Sequence, residues 1–174
     1  MGGFRRYPAL SVATALMLAL TASPATPAHA PAPRAGAAHA VPLHGDLIRP
    51  WDAPPDNPYA PGHRGVDVAA PAGTAVRASA AGVVGFAGNV AGNLTVSVDH
   101  GGGLRTTASY LGSLAVATGQ PVTAGQVVGT SGAGHPGSEL PPHVHLSARR
   151  DGVYFDPLEL YVGSAYDDLV ALVA

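Results

Sequence analysis

The chain has 174 residues, 47% of them hydrophobic and 11% charged, with a mean hydropathy of +0.20. It contains no cysteine, and all nine basic residues are arginine. The first fact excludes a disulfide framework, a thiolate metal site, a cysteine nucleophile and a lipoprotein anchor. The second excludes a Schiff-base lysine, a Walker-type phosphate lysine and a biotinyl or lipoyl attachment point. A formal charge of -2 with pI near 6.4 argues against a nucleic-acid partner. Against this charge-poor background, eight histidines are conspicuous.

Residues 1–30 read as a secretory signal peptide. Arg5 and Arg6 give a positive start, Ala9 to Leu20 an apolar run, and Ala28-His29-Ala30 a small-residue cleavage site. The run is shorter than the roughly 20 residues of a spanning helix. Cleavage after Ala30 is therefore expected, with no stable membrane anchor and an exported, extracytoplasmic product. Without Arg5 and Arg6, seven arginines face eleven acids, a charge of about -4. Residues 31–41 are Pro/Ala-rich and read as a flexible leader.

From Pro42 to about Val162, short β-branched runs alternate with Gly-containing turns. Thr74–Ala78, Gly82–Ala87, Leu94–Val98, Leu104–Tyr110, Gln126–Thr130 and Val144–Ala148 are the predicted strands. Gly-Asn pairs, Asp99-His100-Gly101-Gly102-Gly103 and Thr123-Ala124-Gly125 punctuate them as turns. Strands so short and close imply antiparallel pairing. The expected fold is all-β, a sandwich or partly open barrel over residues 42–162. Residues 163–174 form a tail, read as one short helix or a frayed end.

Two clusters carry the chemistry. His63 and Asp67 lie four apart, and His143 and His145 lie two apart. Histidine and carboxylate are the donors that catalytic zinc takes without cysteine. On a strand, His143 and His145 share a face, with Cα atoms about 6.6 Å apart. That suits one imidazole on a metal and one on the metal's water. On a straight strand His63 and Asp67 would be about 13 Å apart, too far for one ion. A bend between them is required, and Gly65 is the predicted place. His100 reads as a hairpin cap, His44 and His135 as loop residues, Trp51 and Tyr59 as packing or groove walls, and Arg149 and Arg150 as surface.

The stretch from Gly62 to Val76 (GHRGVDVAAPAGTAV) closely resembles the signature of the M23, lysostaphin/LytM-type, zinc metallopeptidases. Val98-Asp99-His100-Gly101, the Gly119–Gly129 segment (GQPVTAGQVVG) and Pro142-His143-Val144-His145-Leu146 resemble that family's later motifs, in order and spacing, and Asp156-Pro157 fits its closing segment. The resemblance spans roughly Pro42 to Tyr161. It implies the LytM-type, duplicated-hybrid-motif-like fold, with His63, Asp67 and His145 as zinc ligands and His143 as general base. It implies hydrolysis of peptide bonds in peptidoglycan stem or cross-bridge peptides, at the cell wall. Counting from both flanking motifs, Tyr110 stands where the family usually carries a further histidine. A phenol can donate to an oxyanion but cannot act as base at neutral pH. An enzyme with a tyrosine electrophile, a slow enzyme, and a zinc-binding module that binds cell wall or regulates another wall hydrolase all stay open. A carbohydrate-binding β domain with incidental histidines is the reading that needs no metal.

Overall fold

The computed structural model describes residues 39–53 and 60–161. The expected signal peptide, most of the leader, Tyr59 and the C-terminal tail lie outside the described residues. No helix among the described residues is long and apolar enough to cross a membrane.

The described residues form ten strands, all paired antiparallel, and one short 3-10 helix. The strands are β1 (Leu47–Arg49), β2 (Val66–Ala69), β3 (Ala75–Arg77), β4 (Gly82–Val90), β5 (Asn93–Gly101), β6 (Leu104–Leu114), β7 (Pro121–Val122), β8 (Val127–Ser131), β9 (His143–Arg150) and β10 (Val153–Phe155). The main sheet runs in the order β1-β2-β9-β6-β5-β4-β7, with β10 paired to β9. The far end of β6 leaves this sheet to pair with β8, which carries β3. The β3–β8 ribbon packs on the apolar face of the main sheet. Val76 and Val128 from the ribbon meet Val96, Val98, Val144 and Leu146 in one core. The fold is the all-β architecture expected, with one sheet face buried and the other open.

The alternation explains why. Val66 and Val68 on β2, and Val144, Leu146 and Ala148 on β9, are buried core residues, while Asp67, His143, His145 and Ser147 point the other way. Each fully buried Val or Leu contributes about 1.5–3 kcal/mol. All six predicted strands are present, most of them longer than expected. The 4-residue β2 and the 2- and 3-residue β1, β7 and β10 were not predicted, because runs so short carry almost no periodicity.

The β4–β5 hairpin turns within residues 88–93. Val90 pairs with Asn93, so Ala91-Gly92 is the two-residue loop, with φ of 49° and 91°. Positive φ at both positions is type I′ geometry. The equivalent β9–β10 loop uses Asp151-Gly152, with φ of 52° and 84°.

His100, beside the Gly-rich β5–β6 turn, is buried at 2% exposure. Its Nδ1–H donates to the Ala81 carbonyl (3.0 Å), and Nε2 accepts from Thr106 Oγ1 (2.8 Å). Burial holds its pKa below the usual range, against the Ala81 bond and the Asp99 charge. His39 packs edge-on against it. The helix Pro157–Leu160 closes the domain: Asp156 caps it by accepting from Leu158 N (2.9 Å), and Tyr161 plugs the core.

Ala91 is the one strained choice in its loop. Ala91→Asn, a residue that tolerates left-handed backbone, is expected to stabilise the protein by about 0.5–1 kcal/mol. Urea unfolding should show a higher midpoint with an unchanged slope.

Candidate metal centre

The site is built by strand register. In the β2–β9 pair, Asp67 lies opposite His145 and Ala69 opposite His143. Asp67 and His145 therefore meet directly on the open face. Their approach, His145 Nδ1 to Asp67 Oδ1, is 2.8 Å.

His63 arrives from outside the strand. It forms an isolated bridge with Asp52, after Arg49 has paired with Asp67. Three steps on the Arg49–Asp52 side thus face four on the His63–Asp67 side, and the extra residue folds out as a bend. The bend lies at Gly65, as the spacing required. Glycine is needed there for close approach rather than for unusual backbone angles. A Cβ at Gly65 would collide with the Leu146 carbonyl and stand 2.6 Å from the His145 ring. With the bend in place, His63 Nε2 is 3.2 Å from Asp67 Oδ1 and 3.1 Å from His145 Nδ1.

Three electronegative atoms thus share a triangle of 2.8, 3.1 and 3.2 Å sides. Tetrahedral ligation at about 2.0–2.1 Å sets donor atoms about 3.3 Å apart, so small side-chain rotations suffice to admit a zinc ion. The second contacts also fit. His63 Nδ1 donates to the Pro50 carbonyl (2.7 Å), which leaves the Nε2 lone pair for the triangle. Burial tends to raise the Asp67 carboxyl, but the hydrogen bond from His145 and the charges of His145, His63 and His143 bring it below its ordinary value. His63, Asp67 and His145 are the one potential metal cluster among the described residues.

His143 is buried at 1% exposure. Its Nδ1 faces the Pro141 carbonyl at 2.7 Å and must donate. Nε2 is then the acceptor, lightly contacted by the His135 N–H at 3.4 Å, and the ring lines the same pocket as the triangle.

Tyr110 reaches this pocket through a bulge. On β5, Thr95 pairs with Ser109 and Leu94 with Leu111, so Tyr110 is the unpaired residue between them. Its φ is 64°, a costly conformation for a bulky side chain. The bulge re-aims the side chain. Its ring sits edge-on to His143, His145 and His135, at centroid distances of 5.4, 6.1 and 5.5 Å. Burial, then the Asp67 charge, raise the phenol pKa, which keeps the hydroxyl a donor at neutral pH.

All five site residues inferred from sequence thus line one pocket, together with Arg49 and His135. His135 had been placed in a loop without a role. The carbonyls of Pro50 and Pro141 orient two histidines but carry no side-chain signal.

Residues 61–157 match the model of peptidase family M23. The chain belongs to that family. A protein of Mycobacterium tuberculosis is 43% identical over 141 residues, 78% of this chain and 55% of that protein. The DD-carboxypeptidase/endopeptidase Mpg of Neisseria meningitidis is 38% identical over 99 residues, 56% of this chain and 22% of Mpg. The chain thus spans about half of the first relative's length and less of the second's. Among solved structures, one of the SpoIIQ-SpoIIIAH pore forming complex superposes with a TM-score of 0.62 at 25% identity, over 75% of this chain and 94% of that one.

Gly65→Ala places a methyl against the β9 backbone and the His145 ring. It is expected to cost about 1–3 kcal/mol of stability, the range for overpacking, and to weaken zinc binding at least tenfold. Thermal melts with and without zinc check this: the zinc-dependent rise in Tm seen in the parent should shrink in the variant.

Proposed function

We propose that this chain is a zinc endopeptidase, exported to the cell wall, that hydrolyses peptide bonds of peptidoglycan stem or cross-bridge peptides. The single observation that carries the reading is the convergence of His63, Asp67 and His145 donor atoms within hydrogen-bond distance of one another, with the His143 ring in the same pocket. Membership of a peptidase family and the likeness to an endopeptidase add support. The substrate class follows from the family resemblance.

When bound, zinc supplies Lewis acidity towards the scissile carbonyl and its attacking water. The chain's own residues do the rest. His63, Asp67 and His145 would hold the ion at the pocket they line. His143, with Nδ1–H committed to Pro141, offers the Nε2 lone pair to the water proton and returns that proton to the leaving amine. Imidazole can both accept and return a proton, which suits this exchange. Tyr110 donates its O–H to the oxygen on which negative charge develops. The open side of the sheet admits an extended peptide.

A second reading rests on Tyr110, which the family resemblance sets where a further histidine is usual. A zinc-loaded module that docks on cell wall or on another wall hydrolase needs no turnover, and the likeness to SpoIIQ in its complex is in keeping with that.

Incubating purified peptidoglycan with the zinc-loaded protein is expected to release new amino termini, and a chelator should stop the release. His143→Ala should abolish release with zinc still bound at one equivalent, whereas His145→Ala should lose the zinc. Zinc at full stoichiometry without any release would favour the docking module.

Tyr110→Phe keeps the ring and the strained backbone but removes the hydroxyl. Its kcat is expected to fall about 10²-fold, as for loss of one oxyanion donor, with KM little changed. An unchanged kcat would take the electrophile role from Tyr110.

A further inference from the structure

Beyond the metal pocket the open sheet face continues as a groove of about 570 Å³, and His145 lines both. Its floor is made of hydroxyl side chains that pair across strands, Thr95 with Ser109 (3.2 Å) and Ser97 with Thr107 (2.8 Å). These bonds satisfy the floor, which therefore discriminates little. The walls differ. On the β4 side stand Phe86 and Val90, both exposed apolar residues. Towards β9 the lining includes Arg64, Arg105 and Arg149, and the carboxylate beside them, Asp99, is taken up by Arg105. A chain with more acids than bases overall thus presents a cationic surface beside its candidate active site.

The three arginines are not equivalent. Arg105 is neutralised by Asp99, which accepts from its Nε (2.6 Å) and Nη2 (3.1 Å). Arg64 donates to the Ala60 carbonyl. Arg149 lies over the Tyr154 ring, 4.2 Å from its centroid, and donates Nη2 to the Tyr154 hydroxyl. That aromatic clamp fixes the guanidinium without cancelling its charge, the arrangement that preorganises an arginine for a carboxylate. Arg149 is on β9, four residues beyond His145 and on the same face. The separation along the strand is about 13 Å, or three to four residues of an extended peptide.

We propose that this groove selects an anionic peptide, with Arg149 receiving a free carboxylate of the substrate about 13 Å from the scissile bond. The proposal rests on the endopeptidase reading and narrows it to carboxylate-bearing stem peptides over cross-bridges that lack a free carboxylate. Phe86 and Val90 would take the apolar side of the same peptide.

The test uses pairs of peptidoglycan fragments identical except that the carboxylates are free or amidated. With zinc-loaded protein, the free-acid fragment should show at least tenfold higher kcat/KM, mostly through KM, as a charge-assisted bidentate pair predicts. Rising salt should erode the preference. Arg149→Gln should abolish it by bringing the free-acid fragment's kcat/KM down towards that of the amidated one, and Arg149→Lys should restore part of it. Arg77→Gln, on β3 away from the groove, should keep it. Equal cleavage of both fragments would overturn the proposal and leave the peptidase reading standing. If neither fragment is cut, the peptidase reading fails, and calorimetry of the same two fragments decides the groove: tighter free-acid binding that Arg149→Gln loses supports it, and equal binding overturns it.

Discussion

The antiparallel register of β2 against β9 is the constraint on which the site depends. It sets Asp67 opposite His145 and Ala69 opposite His143. The same register turns Val66, Val68 and Val144, all at 0% exposure, into the core. A slip of one residue would send the ligands inward and the valines to solvent. Several kcal/mol of apolar burial therefore enforce a geometry in which a few tenths of an ångström matter. The donor atoms are placed by packing on the opposite face of the sheet, and not by any affinity among themselves.

His63 is the exception, since no ladder carries it to the triangle. Its backbone is tied to Asp52, its ring to Pro50, and the intervening bend depends on the absence of a side chain at Gly65. This explains why much of the centre was legible in the sequence. The His-x-His spacing reads as one strand face, and a four-residue His–Asp gap demands a bend that a glycine can allow. What could not be read is backbone chemistry. The carbonyls of Pro50 and Pro141 fix two imidazole tautomers, yet a carbonyl is common to every residue. His135 sits in a loop without periodicity, so nothing local says that it meets Tyr110. The short strands β1, β2, β7 and β10 are induced by pairing with longer neighbours rather than by their own pattern.

Tyr110 shows how a local defect serves the site. In unbroken alternation the residue after Ser109 would share the core face with Ala108. The bulge opposite Thr95 and Leu94 lets it join the pocket instead. The strained φ is tolerated because both flanks are anchored: Ser109 pairs with His145, Leu111 pairs with Ser131, and the Tyr110 carbonyl accepts from Gly132 N (2.9 Å). The bulged backbone thus brings to the pocket a group that donates a hydrogen bond, beside a buried imidazole that accepts one. A phenol whose pKa is raised cannot compete with His143 for the proton of a water. The two groups therefore divide the acid and base tasks by chemistry as well as by place.

The same centre couples ion binding to folding. A carboxylate at 3% exposure needs positive charge beside it. Without an ion, the hydrogen bond from His145 Nδ1 (2.8 Å) takes that place. An ion held by β2, β9 and the His63 segment also ties the lead-in before β2 to the centre of the sheet. In a chain without disulfides, that crosslink would close the edge of the sheet beside the pocket. Ion binding would thus complete the fold and prepare the site for substrate in the same step.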